Sequence, residues 1–357
     1  MKWFSLKKRE ELPTKKAWII RGAAIVLSIL CAGLVILLLG FNPLVTFGEM
    51  VKGALGSKIR LTQTMLKAIP LIVTTLGIII AFKMKFWNIG GEGQIMMGAL
   101  AASFVALNFP DMPRALLLLC MAIAAVIGGG LWAFIPAFFK AKMGTNETIF
   151  TLMLNYLAIK FVTYLQYGPW RDPGSKGFPK VADFSQNAIL PNVFGLHVGW
   201  IIALVLIAII YIFMNYTKKG YEISVVGESL DTARYAGMNI KSIIITAMLI
   251  SGGLCGLTGM IQASAIEKTL TYSLSAGMGF TAIITAWLSR LNALASLFVC
   301  VAFAVLLQGG AYIQISMQIP ASVADMIQGI LLFFVLSSEF FLQYKVNFHF
   351  KKAKGVA

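Results

Sequence analysis

Residues 17–39 read AWIIRGAAIVLSILCAGLVILLL, twenty-three residues with a single charge at Arg21. A bilayer's hydrocarbon core is about 30 Å thick and needs roughly 20 apolar residues per crossing helix. The run is long enough to span, and too long for a signal-peptide core of about 7–15 residues. It reads as a retained transmembrane helix behind a basic cytoplasmic tail, residues 1–16, that holds Lys7, Lys8, Arg9, Lys15 and Lys16. Nine further apolar runs follow, at 61–82, 88–107, 115–139, 147–167, 200–216, 242–266, 270–289, 293–313 and 320–341. Ten helices use about 200 residues on the same estimate, which leaves short loops and no room for an independent soluble domain.

Composition agrees. The chain is 59% hydrophobic and 12% charged, against about 25% charged residues in soluble domains. A net charge of +16 would point to nucleic acid in a soluble chain, but here the cations stand at the ends of the apolar runs. Lysines and arginines placed there set topology, so no nucleic-acid partner is expected. Ten crossings from a cytoplasmic N-terminus put both termini inside. With that orientation, 20 of the 30 Lys and Arg residues fall in cytoplasmic segments, 8 fall outside, and Lys67 and Lys160 lie within spans. Positively charged residues are expected to crowd the cytoplasmic side in this way. The expected organisation is a tail at 1–16, a transmembrane domain at 17–342 and a basic tail at 343–357. Within the domain lie an outer loop at 168–199 and a cytoplasmic loop at 217–241. Cys31, Cys120, Cys255 and Cys300 all fall inside apolar runs and read as core residues. His197 and His349 are too few and too scattered for a metal site.

The third and eighth runs differ from the rest. Run 88–107 opens with Asn-Ile-Gly-Gly-Glu-Gly-Gln, and run 270–289 is interrupted by Gly277-Met278-Gly279. They hold equivalent positions if the chain is two five-helix halves, and an odd number of spans per half makes the repeats inverted. Glycine-interrupted spans at matching positions point to a transporter's substrate path; the alternative is that glycines let helices approach closely.

Glu92 and Gln94 sit near the start of the third run, beside Asn88. A charge at the centre of a spanning helix costs about 2.5–3.5 kcal/mol on insertion scales, so Glu92 is expected near the cytoplasmic boundary, facing a cavity or paired with Lys83 or Lys85. Before the fifth run, Thr145 or Asn146 can cap the helix and Glu147 complements its positive end. Asn155 and Tyr156 lie two turns deeper, where lipid offers an amide no partner; lining a path and tying two helices together are both open. In the 217–241 loop, residues 229–236 read as a short helix with Ser229 as N-cap and Gly237 as its stop. So short a helix is marginal alone and has to lie against the chain's own spans or another subunit. The small residues Ala233, Ala236 and Gly237 offer a face for a partner's groove. Gly252 and Gly256 form a Gly-x-x-x-Gly pair suited to close helix contact. No Gly-x-x-x-x-Gly-Lys-Ser/Thr loop occurs, nor paired catalytic carboxylates or a Gly-x-Ser-x-Gly turn. Neither enzymatic activity nor a cofactor of its own is expected.

Several stretches resemble a known family. Phe86-Trp87-Asn88-Ile89-Gly90-Gly91-Glu92-Gly93-Gln94, followed by Gly98-Ala99, resembles the signature of permease subunits of bacterial ABC importers for nucleosides. The wider group includes ribose, galactose and branched-chain amino acid permeases. Asn146-Glu147-Thr148-Ile149 with Thr151 to Tyr156 resembles that family's fifth-span motif. Gly227-Glu228 through Met238 is similar to its coupling segment, and Gly279 to Ile283 with Arg290-Leu291-Asn292 to a later stretch. Ala293 stands where the family often has proline, and Thr148 where valine is common. The resemblance implies an ATP-driven nucleoside importer in a bacterial cytoplasmic membrane. Its expected partners are a second homologous permease or another copy, cytoplasmic ATPase chains that bind ATP and Mg, and an outer substrate-binding lipoprotein. Together with intramembrane polarity it marks Asn88, Glu92, Gln94, Asn146, Glu147, Asn155 and Tyr156 as substrate-path residues. It marks Gly227, Glu228, Ala233, Arg234, Ala236 and Gly237 as ATPase-coupling residues. The outer loop, with Trp170 and Arg171, either meets the binding protein or stays solvated. The alternatives are a simple-sugar or branched-chain amino acid permease, or an ion-coupled secondary transporter using Lys67, Lys160 or Glu147.

Overall fold

The computed structural model describes residues 4–8, 14–175 and 177–348. Arg9, Lys176, His349 and the tail beyond it lie outside the described residues. The chain divides into two compact units, residues 1–57 with 305–357, and residues 58–304. Among the described residues seven helical stretches are long and apolar enough to cross a membrane: Ile19–Leu38, Lys58–Lys83, Arg114–Met143, Glu147–Tyr167, Gly199–Tyr216, Ile240–Glu267 and Ala293–Ser316. This is an all-α polytopic membrane protein.

The first unit holds α1 (Thr14–Leu38), α2 (Pro43–Leu55), the end of α12 (Ala293–Ser316) and α13 (Ala321–Gln343). Helix α2 falls where Asn42-Pro43 reads as a simple break. The same dipeptide starts the helix: the Asn42 side chain accepts from the backbone N–H of Leu44 and Val45. Pro43 stands at a first-turn position, where its missing N–H leaves nothing unpaired. Thr46, Met50, Gly53 and Ala54 form the buried stripe of α2. Met50 joins Ala32, Ile36, Ile313, Ile319, Ala324 and Ile327 in one cluster. Within the stretches read from sequence as plain basic tails, β1 (Phe4–Lys8) and β4 (Tyr344–Phe348) pair as antiparallel strands.

The second unit is built around α3 (Lys58–Lys83), α4 (Gly91–Asn108), α5 (Arg114–Met143) and α10 (Ile240–Ile261). Around them stand α6 (Glu147–Tyr167), α7 (Gly199–Tyr216), the short α8 (Lys218–Glu228) and α9 (Leu230–Tyr235), and α11 (Met278–Leu288). Every residue of α3 from Ala68 to Phe82 is buried, so this helix lies inside the unit and sees no lipid over that length. The tightest crossings are at glycines. A Cβ on Gly98 would strike the backbone of Gly256, one on Gly129 the backbone of Gly252 and Gly256, and one on Gly259 the carbonyl of Ile95. The expected Gly252–Gly256 contact therefore holds α4, α5 and α10 together by van der Waals packing, which substitutes for the hydrophobic effect in lipid.

The 168–199 loop is tied back along its length. The Phe184 N–H donates to the Lys268 carbonyl at 2.9 Å and the Thr269 hydroxyl to the Val181 carbonyl at 2.9 Å. The Arg114 guanidinium donates to the Ile189 carbonyl at 2.6 Å, and Trp170 stacks on Phe104. A small hairpin, β2 (Asn192–Val193) with β3 (Leu196–His197), closes it. His197 is buried there, accepts from the Gly199 N–H through Nδ1 at 3.2 Å, and burial lowers its pKa from 6.5 to about 4. Between those values the unfolded chain binds the extra proton and the folded chain does not, so stability rises with pH. The expected result is a wild-type melting temperature that falls as pH drops below 6.5, more steeply than that of His197→Gln, with parallel curves above. Parallel curves down to pH 4 would contradict the burial.

Candidate functional site

The third apolar run does not become helical at Asn88. After α3 the chain turns through Lys85, whose φ is 57°, and α4 begins at Gly91. The non-helical entry is held by side chains. Asn88 and Gln94 pair amide to amide, Asn88 Nδ2 donating to Gln94 Oε1 at 3.1 Å and Gln94 Nε2 to Asn88 Oδ1 at 3.0 Å. Asn88 also donates to the Ser251 hydroxyl at 3.2 Å. Asn155 on α6 clips the same entry from the other side, accepting from the Gly93 N–H at 2.8 Å and donating to the Ile89 carbonyl at 2.8 Å. Thr151, one turn earlier, accepts from the Ile89 N–H. Every buried amide here has a partner, as a water-poor interior requires.

The eighth run is broken. Ala276 and Gly277 both take positive φ, 44° and 78°, and only Met278–Leu288 is helical. At about 1.5 Å per residue, α11 is some 16 Å long, half the roughly 30 Å of a hydrocarbon core. Its first turn meets the first turn of α4. Glu92 is not paired with Lys83 or Lys85. Its carboxylate accepts from the Gly277 N–H at 2.7 Å and the Gly279 N–H at 2.6 Å. Lys85 instead donates to the Glu228 carbonyl at 3.4 Å. At the far end of α11, Trp287 lies 5.8 Å from Phe82 and 5.7 Å from Trp87, centroid to centroid. Glu92 is thus a half-span away from that aromatic cluster and not beside it.

Of the residues marked from sequence, the fold brings together Asn88, Glu92, Gln94 and Asn155, all buried. Asn146 caps α6, accepting from Thr148 and Ile149, and Glu147 pairs with Lys140 at 2.7 Å. Tyr156 is 61% exposed and belongs to another face of α6. Ser251, Thr151 and the N–H groups of Gly277 and Gly279 were missed. The four-residue spacing of Thr151 and Asn155, which puts both on one helix face, would have revealed the first of these partners on α6.

The 217–241 segment carries two helices where one was expected. Thr217 caps α8 and Ser229 caps α9, its hydroxyl accepting from the Thr232 N–H at 3.2 Å. Ala233 is fully buried, and a Cβ on buried Gly227 would strike the Lys83 carbonyl. These two residues seat the segment on the chain's own helices, so the chain itself covers both of them. Glu228, Arg234, Ala236 and Gly237 are exposed, along with Leu230 at 48% and Tyr235 at 94%. In the sequence the small residues of this segment read as its docking face, and nothing there marks Leu230 and Tyr235 as the exposed apolar pair. Between this segment and the helices beneath it lies a groove of about 270 Å³, lined by Lys85, Lys140, Glu147, Glu228 and Leu230 among others.

The chain thus combines seven helical stretches of membrane-crossing length, among the described residues, with two helices whose first turns meet over a buried polar cluster. Residues 60–336 match the family described as branched-chain amino acid transport system / permease component. The chain belongs to that family: it is an ABC-type permease subunit and a multi-pass protein of the cytoplasmic membrane. It is 33% identical to the glucose ABC transporter permease protein of Haloferax volcanii, over 95% of this chain and 93% of that one. It is 30% identical to the nucleoside ABC transporter permease protein of Lactococcus lactis, over 93% of each chain. It is also 30% identical to the guanosine ABC transporter permease protein of Bacillus subtilis, over 93% of this chain and 95% of that one.

Proposed function

We propose that this chain is the conducting subunit of an ATP-driven importer for nucleosides. ATP and Mg would be bound by a separate cytoplasmic ATPase chain, and an outer lipoprotein would deliver the solute. A second homologous permease or another copy of this chain would complete the pore. The observation that carries the reading is α9. A six-residue helix cannot persist alone, and this one is fixed from below by Ala233 while Leu230 and Tyr235 face outward. Such a helix is built to transmit force from a partner. The ten runs correspond to α1, α3, α4, α5, α6, α7, α10, α11, α12 and α13. We take these as ten crossings in two inverted halves, with both termini and the 217–241 loop inside and the 168–199 loop outside.

The path runs past Asn88, Glu92, Gln94 and Asn155, with Asn146 and Glu147 towards its cytoplasmic mouth. Relatives named for nucleosides, guanosine and glucose suit a cluster made of amides and hydroxyls. Sugars and nucleosides offer matching donors and acceptors, and neither needs a cationic anchor. Uptake of radiolabelled uridine by cells carrying the whole transporter tests the substrate class. Excess guanosine should suppress uptake about tenfold or more, while leucine leaves it unchanged. Competition by leucine and none by nucleosides would overturn the assignment.

A further inference from the structure

Helices α4 and α11 both begin inside the second unit, and their first turns abut. A Cβ on Gly91 would lie 3.4 Å from the Cα of Gly279. A helix N-terminus carries roughly half a positive charge and a set of unpaired N–H groups, so two such ends meeting in a dry interior make an anion site. The anion is supplied by the chain itself. Glu92 is 4% exposed, and each carboxylate oxygen accepts from the backbone, Oε1 from Gly277 and Oε2 from Gly279. Its charge therefore answers helix ends and not a side-chain cation. Residue 279 has to be glycine for this to work, because a Cβ there would strike the Glu92 backbone and carboxylate.

In transporters built from broken helices, an open half-helix N-terminus is where the anionic group of a substrate sits. Here that place is taken. We propose that Glu92 is a specificity-determining residue, a resident carboxylate that fills the anion site between α4 and α11 and restricts the path to solutes without a carboxylate or phosphate. The proposal rests on the permease reading above and assigns to Glu92 the exclusion of free amino acids and nucleotides from that path.

The test uses the purified full-length chain in detergent, with formate as the probe. Glu92→Ala should lower the melting temperature by about 4 °C or more. Sodium formate should restore at least half of that loss, and sodium chloride at equal ionic strength should not. Wild type and Glu92→Gln, whose sites remain filled, should ignore formate. A Glu92→Ala melt equal to wild type, or formate and chloride acting alike, would overturn the proposal. Should Glu92→Ala fail to fold, Glu92→Gln keeps the shape without the charge. Reconstituted with the subunit that completes the pore, it should admit radiolabelled phosphate about tenfold faster than wild type, and equal rates would also overturn the proposal. Neither readout involves ATPase or nucleoside, so failure here leaves the importer reading standing.

Discussion

Gly256→Leu is expected to yield no folded, extractable protein, and Gly256→Ala a folded protein of clearly lower melting temperature. Gly256 is where α4, α5 and α10 come closest. A Cβ there would strike the Ala125 carbonyl and lie 3.0 Å from the Gly129 Cα. From the other side, Gly98 already packs its own Cα position against the Gly256 backbone. Every neighbour is main chain, so no flexible side chain can swing aside. Inserting one extra carbon into a packed interior costs about 1–3 kcal/mol, and leucine adds four. Gly22→Leu is the control. Nothing lies within 4 Å of its Cβ position, and leucine is the better helix former by up to about 1 kcal/mol, so that variant should melt at or slightly above wild type. Size-exclusion profiles and thermal melts of the detergent-solubilised variants decide the matter. A monodisperse Gly256→Leu protein would mean the three helices are not in this contact.

Leu230→Asp combined with Tyr235→Asp should abolish co-purification of the ATPase and reduce uptake to background, while leaving the melting temperature unchanged. Tyr235 is almost fully exposed and Leu230 about half exposed, so the chain's own fold loses little with them. Truncating a buried aromatic anchor at an interface commonly costs about 2 kcal/mol or more, or some thirtyfold in affinity, and a pair of introduced carboxylates adds desolvation to that. Ala233→Asp provides the contrast. Its Cβ is buried against the chain's own helices, so a carboxylate there should lower the melting temperature as well as the coupling. Retained ATPase binding by the double variant would move the docking surface away from α9.

Much of this architecture is legible in the sequence because lipid imposes one strong rule, that a crossing backbone must satisfy its own hydrogen bonds. Long apolar runs therefore become helices, and runs such as 147–167 coincide with α6 end for end. The reading weakens where polar side chains replace helical hydrogen bonds. Asn88 looked like the first residue of a span, yet its amide pairs with Gln94 and frees the chain to enter α4 later, at Gly91. Partners distant in sequence were invisible for the same reason: nothing near Glu92 indicates that Gly277 and Gly279 will donate to it, 185 and 187 residues away. Asn42-Pro43 shows an opposite failure, a helix start mistaken for punctuation because the two signals share residues. Ala233, buried by the chain itself, carries a further ambiguity. Small residues fit a partner's groove and a chain's own interior equally well, and only the fold distinguishes them.

The most direct test of ATP-driven import is accumulation of radiolabelled uridine by proteoliposomes that contain this chain alone, under an imposed proton or sodium gradient. No accumulation above empty vesicles is expected, with concentrative uptake appearing only when the pore-completing permease, ATPase, ATP and the solute-delivering protein are added. Concentrative uptake by the chain alone under either gradient would contradict the account.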